Sequence, residues 1–204
     1  MSGEIVCRRT DEANEPQVRS TMDAQQNSNA ARHLQVIYTD IAQRVRAITA
    51  ARPIWPCHKG CDGCCRRLAR PPDMTATEWQ IVYQGFLQLS PATQHEVARR
   101  IRALADWQDG PVTCPFLDAT HGTCLVYDHR PAACRMYGFY VSRTDHWWCA
   151  DIQTLYEAGV CDGVILGNQG AIERALHQQC SEVKSLVEWF ACIECEISSH
   201  PLEP

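Results

Sequence analysis

Four cysteines lie within nine residues of this chain, in the segment Cys57-His58-Lys59-Gly60-Cys61-Asp62-Gly63-Cys64-Cys65. This segment limits the possible folds more than any other feature. Thiolates at two- and three-residue gaps in a glycine-containing loop can converge on one metal centre. Gly60 and Gly63 allow the tight turns with positive φ that such a loop needs. Cys64 and Cys65 are adjacent and point in different directions, so the two need not serve the same centre.

A second group of cysteines follows on separate predicted elements. The first lies before a proline, the second after a glycine turn, the third in the first turn of a short helix and the fourth after two tryptophans. Gaps of ten residues are not those of a zinc knuckle, so strands and turns must bring these cysteines to one place. They form one large site, two four-cysteine sites, or one site plus structural thiols. The predicted metal ligands are Cys57, Cys61, Cys64, Cys65, Cys114, Cys124, Cys134 and Cys149.

Size and cysteine usage point to a single domain in a reducing compartment. The 204 residues fit one domain, and the odd number of cysteines, thirteen, excludes complete internal disulfide pairing. The first residues have no signal-type apolar run, and no stretch approaches the roughly 20 apolar residues of a membrane span. We therefore expect a cytoplasmic protein without a membrane partner. With 19 basic and 24 acidic residues the net charge is −5, which argues against nucleic-acid binding.

Local signals predict three helices before residue 111. Apolar residues recur at three- and four-residue steps over residues 32–52, typical of an amphipathic helix: Leu34, Ile37, Ile41, Val45 and Ile48. Thr75 and Glu78 have the spacing of a capping box and predict a second helix. Ser90-Pro91 supplies an N-cap and a first-turn proline for a third, which Asp109-Gly110-Pro111 closes.

The rest of the chain is less regular. Short apolar runs on both sides of His121-Gly122 predict a small hairpin between residues 112 and 127. Asp151 is placed to cap a further helix that ends near Gly159. A last helix is predicted over about residues 171–196.

Pro131 predicts the start of a short helix, which places Cys134 in its first turn. The positive end of the helix dipole there favours a thiolate. Arg130 and Arg135 are candidates to offset the charge of a centre or to bind a carboxylate. The alternative is that they are ordinary surface or capping arginines.

These predictions define a mostly α fold: a small helical domain with irregular or short β-hairpin loops built around a cysteine-ligated metal or iron–sulfur centre. We predict a disordered polar tail over residues 1–30 and one domain over residues 31–199. Its cysteine core spans residues 57–149, and residues 200–204 form a C-terminal tail.

The remaining cysteines and the histidines are weaker candidates. An isolated C-x2-C is a weak metal signal, so we interpret four cysteines as packing or incidental thiols: Cys161, Cys180, Cys192 and Cys195. Three histidines are interpreted as neighbours of the site rather than ligands, because thiolates already exceed the needs of one site: His58, His121 and His129.

An ordered set of segments between residues 57 and 149 is distinctive: Cys57-x3-Cys61-Asp-Gly-Cys64-Cys65, Cys114-Pro-Phe-Leu, Gly122-Thr-Cys124-Leu-Val-Tyr127-Asp-His-Arg130-Pro131-Ala-Ala-Cys134-Arg135-Met-Tyr137, and Cys149. The set resembles the YkgJ family of cysteine-cluster proteins, whose domain is described as zinc- or iron-chelating. The resemblance implies a cysteine-bound metal centre. It also suggests a link to flagellin lysine methylases, which carry a domain of this kind with an iron–sulfur cluster.

The predicted function is to bind an iron–sulfur cluster, 4Fe–4S by ligand number, or a zinc or iron ion, in a redox or metal-binding role. Eight thiols exceed what one zinc requires, which favours the cluster. Two alternatives stay open: a SAM-dependent or other cluster-dependent enzyme related to the flagellin lysine methylases, and a zinc-stabilised adaptor without catalysis. A radical-SAM barrel is not expected, because the alternating β/α pattern is absent. The partner is an unidentified protein or small molecule.

Overall fold

The computed structural model of the protein describes residues 16–142, 148–179 and 182–199. The described part is mostly α, as the sequence predicts. Its helices are α1 (Pro16–Ala51), α2 (Gly63–Arg66), α3 (Ala76–Leu87), α4 (Pro91–Arg102), α5 (Ala132–Met136), α6 (Ala150–Glu157), α7 (Gln169–Gln179) and α8 (Leu186–Ser199). None of the helices in these ranges is long and apolar enough to cross a membrane.

Within the described ranges, short strands join separate parts of the chain in three two-stranded sheets. Strand β1 pairs with β6 and β2 with β3, both antiparallel, whereas β4 and β5 are parallel. The predicted hairpin is the β2–β3 pair, in which Leu117 lies opposite Cys124. The strands are β1 (Asp73–Thr75), β2 (Leu117–Asp118), β3 (Thr123–Cys124), β4 (Tyr140–Val141), β5 (Gly167–Asn168) and β6 (Val183–Ser185).

Helix α1 buries the predicted apolar stripe but begins earlier than the stripe does. Leu34, Ile37, Ile41 and Ile48 are all buried in one core. The helix starts at Pro16, so its first turns run through part of the predicted tail. Apolar periodicity reports only a buried helix face, and the side chains described between residues 25 and 29 are exposed. Residues 1–15 and 200–204, which complete the two predicted tails, lie outside the described residues.

Both predicted helix starts in the middle of the chain are confirmed. Glu78 N donates to Thr75 Oγ1 and Thr75 N donates to the Glu78 carboxylate, which completes the capping box of α3. Ser90 Oγ accepts from Thr93 N at the start of α4, with Pro91 at the first helical position. These caps place α3 and α4 against α8 in a second core, separate from that of α1.

The single helix predicted over residues 171–196 is wrong. Helix α7 ends at Gln179, strand β6 follows, and α8 begins at Leu186. Ser185 and Glu188 form a second capping box that starts α8: Ser185 N donates to Glu188 Oε2 (2.8 Å) and Glu188 N to Ser185 Oγ (3.3 Å). Pairing of β6 with β1 provides hydrogen-bond partners for backbone N–H and C=O groups that would have bonded to each other in a continuous helix.

Candidate metal centre

A cavity of about 440 Å³ lies between the two hydrophobic cores. Ile41 and Phe139 of the first core and Phe116 and Val126 of the second contribute to its wall. The two groups of predicted ligands, far apart in sequence, meet here. The half-buried cysteines that line this cavity, none of them in a disulfide, are Cys57, Cys61, Cys64, Cys65, Cys114, Cys124, Cys134 and Cys149.

The first cysteine loop turns at Gly60, which has a φ of +96° as predicted. The expectation for Gly63 is wrong, since this residue begins α2 instead of adopting a positive φ. The reason is a closed helical turn in which Arg66 N donates to Asp62 O (3.0 Å) and the Arg66 guanidinium pairs with the Asp62 carboxylate (2.6 Å). The short helix then carries both Cys64 and Cys65.

Backbone pairing brings the second group beside the first. Leu68 and Val112 form an isolated antiparallel bridge, in which the distances between donor nitrogen and acceptor oxygen are 2.9 and 2.8 Å. Two residues further on, Cys114 N donates to Cys65 O at 2.7 Å. Cys124 follows on β3, opposite Leu117. Long-range backbone hydrogen bonds, which local sequence patterns do not reveal, therefore set the position of these thiols.

Cys57 is held by the turn after α5. Its thiol donates to the carbonyl of Tyr137 (3.4 Å), and Trp55 Nε1 donates to the carbonyl of Gly138 (3.0 Å). Gly138 has a φ of +84°, and a Cβ atom there would lie 2.9 Å from Cys57 Sγ. Neither Gly138 nor Trp55 was predicted from the sequence. A glycine two residues after the short helix containing Cys134 was the available signal.

The buried Glu78 carboxylate positions the helix that carries Cys134. Its side chain accepts from Thr75 N (3.0 Å) and, through the other oxygen, from Ala132 N at the start of α5 (2.8 Å). Glu78 is only 3% exposed and thereby joins the starts of two helices. The sequence identifies its capping role, but not its contact with α5.

Burial and crowding keep the Cys57 and Cys134 thiols protonated when no metal is bound. Burial, with the charges of Cys61, Cys64 and Cys149, raises the pKa of Cys57 to about 12. Burial likewise raises the pKa of Cys134 to about 12, so the predicted preference for thiolate at the helix start is wrong. Helix α5 has only five residues, and the loss of hydration outweighs its dipole.

The thiols form two neighbouring sets. Each thiol is assigned to a set by the groups whose pKa values its charge shifts. The pKa of Tyr137 is raised by burial and by four cysteines of the first set: Cys57, Cys61, Cys64 and Cys149. The Cys114 thiol, burial and Cys124 raise the pKa of Cys65, while Cys65 and Cys124 act on Cys134. The second set therefore consists of Cys65, Cys114, Cys124 and Cys134. Cys64 raises the pKa of Cys134 more than Cys65 does and also raises that of Cys124, so Cys64 lies next to both sets.

Arg130 is a cation that acts on both sets. Its positive charge lowers the pKa of Cys57 and of Cys134, against the larger effect of burial. The guanidinium lies 3.6 Å from the centre of the Tyr127 ring, and its Nε donates to Tyr127 O (2.9 Å). That Arg130 offsets the charge of a centre stays a prediction.

Two of the three candidate histidines and the remaining described cysteines do not line the cavity, whereas His58 does. His121 pairs with Asp118 (2.7 Å) and is mostly exposed, and the His129 ring packs against Gly85 of α3. His58, at the cavity, has its Nδ1 2.6 Å from the carbonyl oxygen of Pro56. Cys161 packs on the first core, and Lys184 Nζ donates to Cys192 Sγ (3.6 Å). The Cys180 residue and the Cys195 side chain lie outside the described part.

The donor set suits zinc or iron, although the thiols do not yet close around an ion. Among the described Cys, His, Asp and Glu side chains, no three are close enough to hold one metal ion as they stand. The sulfurs of Cys64 and Cys65 are 3.9 Å apart. Two sulfurs on one tetrahedral zinc, at about 2.3 Å each, lie about 3.8 Å apart. Thiols are also the donors of iron–sulfur clusters, so the residues fit either group.

Comparison with protein families assigns the chain. The model of the CxxCxxCC family, described as "Putative zinc- or iron-chelating domain", matches residues 56–161. The chain belongs to this family. The matched segment contains all eight cysteines of the cavity and supports a metal-binding role. Neither the curated proteins nor the solved structures contained a match.

Proposed function

We propose that the protein binds an iron–sulfur cluster through the cysteines of this cavity and serves as a redox or electron-carrying protein of the cytoplasm. The observation that supports the proposal is the convergence of both cysteine groups on one cavity between the two cores. A bound cluster would supply one-electron chemistry. The protein's own contribution would be eight thiol donors, the nearby Arg130 charge and the apolar walls.

The number and spread of the thiols favour a polynuclear centre over a single ion. One tetrahedral zinc takes four ligands, and eight thiols line this cavity. Each set of four matches the ligand number of a 4Fe–4S cluster. The hydrogen bond from Trp55 to the Gly138 carbonyl and the Glu78 contact with α5 hold the segments beside Cys57 and Cys134 in place. Such support around the ligands is typical of sites that tune a metal centre.

A second candidate is a zinc-stabilised adaptor without catalysis. The division of the thiols into two adjoining sets of four fits it as well as it fits clusters, because each set has the composition of a structural zinc site with four cysteine ligands. Zinc in that case would stabilise the fold directly. A SAM-dependent enzyme is the third possibility, and the family match does not distinguish it.

Anaerobic purification followed by iron, zinc and acid-labile sulfide analysis tests the proposal. We expect a brown protein that absorbs near about 400 nm, with iron and sulfide in equal amounts. Cys61→Ser and Cys134→Ser, one from each set, should each lose iron. If both variants lose the same chromophore, the sets share a centre; separate partial losses indicate two centres.

Cys161→Ser is the matched control, because this half-buried thiol packs on the first core and does not line the cavity. It should keep the iron content of the unmodified protein. Stoichiometric zinc in a colourless protein would support the adaptor instead. A folded protein that lacks both metals when isolated without oxygen would contradict both candidates. Calorimetric titration of the loaded protein with SAM tests the enzyme, which requires saturable binding.

A further inference from the structure

We propose that the cavity contains a second binding site, for a small organic carboxylate, beside the metal centre. The inference deepens the proposed function, because the carboxylate would occupy the part of the same cavity that the thiols leave open. It is supported by the charges around the cavity, one buried hydroxyl and the composition of one wall.

The charged side chains that line the cavity are cations. Arg46, Lys59, Arg130 and Arg135 all contribute to its wall, whereas no Asp or Glu of the described residues does. This bias is opposite to that of the whole chain, which has a net charge of −5. Arg46 and Lys59 are exposed, whereas Arg130 is half-buried. Positive charge therefore extends from solvent into the cavity, which attracts anions and concentrates them there.

Tyr38 supplies a buried donor that lacks an acceptor in the described structure. Its side chain lines the cavity and the residue is 7% exposed. The Arg135 guanidinium interacts with the hydroxyl but can only donate, so the hydroxyl proton has no acceptor among the described residues. The Arg135 guanidinium lies 4.2 Å from the ring centre and packs on it. A buried hydroxyl whose proton has no acceptor is costly and calls for an explanation, such as a bound ligand. A carboxylate oxygen would satisfy it.

The wall formed by α1 carries no thiol and is therefore available to a ligand other than the metal centre. Its lining residues follow helical spacing along one face: Tyr38, Ile41, Ala42, Val45, Arg46 and Thr49. Ala42 and Val45 offer apolar contact beside the charged and hydroxyl groups. The volume of about 440 Å³ belongs to the whole cavity, so the carboxylate would share it with the metal centre. An apolar wall beside cations fits an organic acid better than an inorganic oxyanion.

The rival explanation is that the cations and Tyr38 serve the metal centre alone. Arg130 acts on thiols of both sets, so part of its charge offsets the centre. Arg46 differs, because it lies on the α1 wall, is exposed and has no thiol beside it in sequence. The two explanations therefore differ in what removal of Arg46 or of the Tyr38 hydroxyl does.

Equilibrium dialysis of the metal-loaded protein against radiolabelled succinate tests the inference, with metal and sulfide measured on the same sample. We expect saturable binding of one succinate per chain. Tyr38→Phe should weaken it roughly tenfold, since it removes a hydrogen bond to a charged group. Arg46→Gln should weaken it several-fold and reduce its salt dependence. Tyr83→Phe, a half-buried tyrosine outside the cavity, should bind as the unmodified protein does.

Three outcomes of the binding experiment would overturn the inference: no saturable binding by the loaded protein, Tyr38→Phe and Arg46→Gln binding as tightly as the unmodified protein, or inorganic phosphate displacing the label as well as unlabelled succinate does. A changed chromophore in succinate-free Tyr38→Phe would assign the hydroxyl to the centre and also overturn it. Succinate binding by a sample without iron would support this site while contradicting the proposed cluster.

Discussion

Several residues that are not ligands hold the candidate ligands in place. Gly138 leaves room for Cys57, and the buried Glu78 fixes the start of the helix that carries Cys134. Neither contributes a thiol, and each acts through one close contact. Their substitution separates support of the site from ligation.

Gly138→Ala should destabilise the fold and displace Cys57. The new Cβ would lie 2.9 Å from the thiol and 3.1 Å from Ile152 Cδ1, at a φ of +84°. We expect a loss of about 2–4 kcal/mol in the free energy of unfolding and lower metal content. Urea unfolding and metal analysis measure the two effects.

Gly163→Ala is the matched control for this change. Gly163 has a similar φ of +78° but no atom within 4 Å of the added Cβ. The substitution at this position adds backbone strain but no close contact. We therefore expect a loss of about 1 kcal/mol in the free energy of unfolding and unchanged metal content. Equal effects at the two glycines would show that contact with Cys57 is unimportant.

Glu78→Gln should uncouple α3 from α5. The carboxylate accepts from Thr75 with one oxygen and from Ala132 N with the other. An amide nitrogen cannot accept, so one buried N–H loses its partner at a cost of about 1–3 kcal/mol. Urea unfolding should show this loss, together with weaker metal retention during dialysis against a chelator.

Glu188→Gln provides the comparison, because Glu188 also completes a capping box but accepts from Ser185 N and Ser185 Oγ through a single oxygen. An amide keeps one oxygen acceptor, so we expect a loss below about 1 kcal/mol and normal metal retention. A larger effect at Glu188 than at Glu78 would contradict the proposed link between α3 and α5.

At the scale of elements, helix α1 contributes both to the first core and to the wall of the cavity. One face buries the apolar stripe in the first core, and neighbouring positions form the thiol-free wall. Ile41, 1% exposed, belongs to both the core and the wall. Packing of α1 should therefore control stability and site geometry together.

Ile41→Ala should reduce the free energy of unfolding by about 2–5 kcal/mol, as expected for a large-to-small change in a core. Val36→Ala, on the same helix but 58% exposed, should change it by less than about 0.5 kcal/mol. Chemical denaturation of both variants measures the difference. Similar losses would mean that α1 packs differently from the structure described.

At the scale of the whole molecule, clustered thiols make stability depend on pH. The pKa values of Cys57, Cys65 and Cys134 rise from an ordinary 9.0 to about 12 on folding. A raised pKa contributes stability that is complete below pH 9 and is lost as the pH rises to about 12. Metal-free protein should therefore unfold more readily across that interval. Urea unfolding at a series of pH values measures this loss. A free energy of unfolding that stays constant between pH 9 and about 12 would contradict the prediction.

Metal binding should release protons at neutral pH, because thiols with raised pKa values must ionise to become ligands. Anaerobic zinc titration in weakly buffered solution with a pH indicator should show about one proton for each ligating thiol. Replacement of a ligating cysteine by serine should reduce the number by about one, whereas Cys161→Ser should leave it unchanged. Zinc binding without proton release would exclude thiol ligation.

Signals that act over a few residues were readable from the sequence. The stripe of α1, the caps at Thr75 and Ser90, and the turn at Gly60 follow from local sterics and hydrogen bonding, and the structure confirms them. The same kind of signal, Ser185 with Glu188, was present but overlooked in the last helix. The resemblance of the ordered cysteine-containing segments to the YkgJ family also predicted the family that the comparison shows.

Only the tertiary structure decided which distant groups meet. Pairing of Leu68 with Val112 places Cys65 beside Cys114, and the Glu78 carboxylate reaches Ala132 across 54 positions of sequence. Burial then reverses the local preference of Cys134 for thiolate. Sequence determined the donors and the turns, because these depend on near neighbours. Packing determined their convergence and protonation, because desolvation and long-range hydrogen bonds depend on the whole fold.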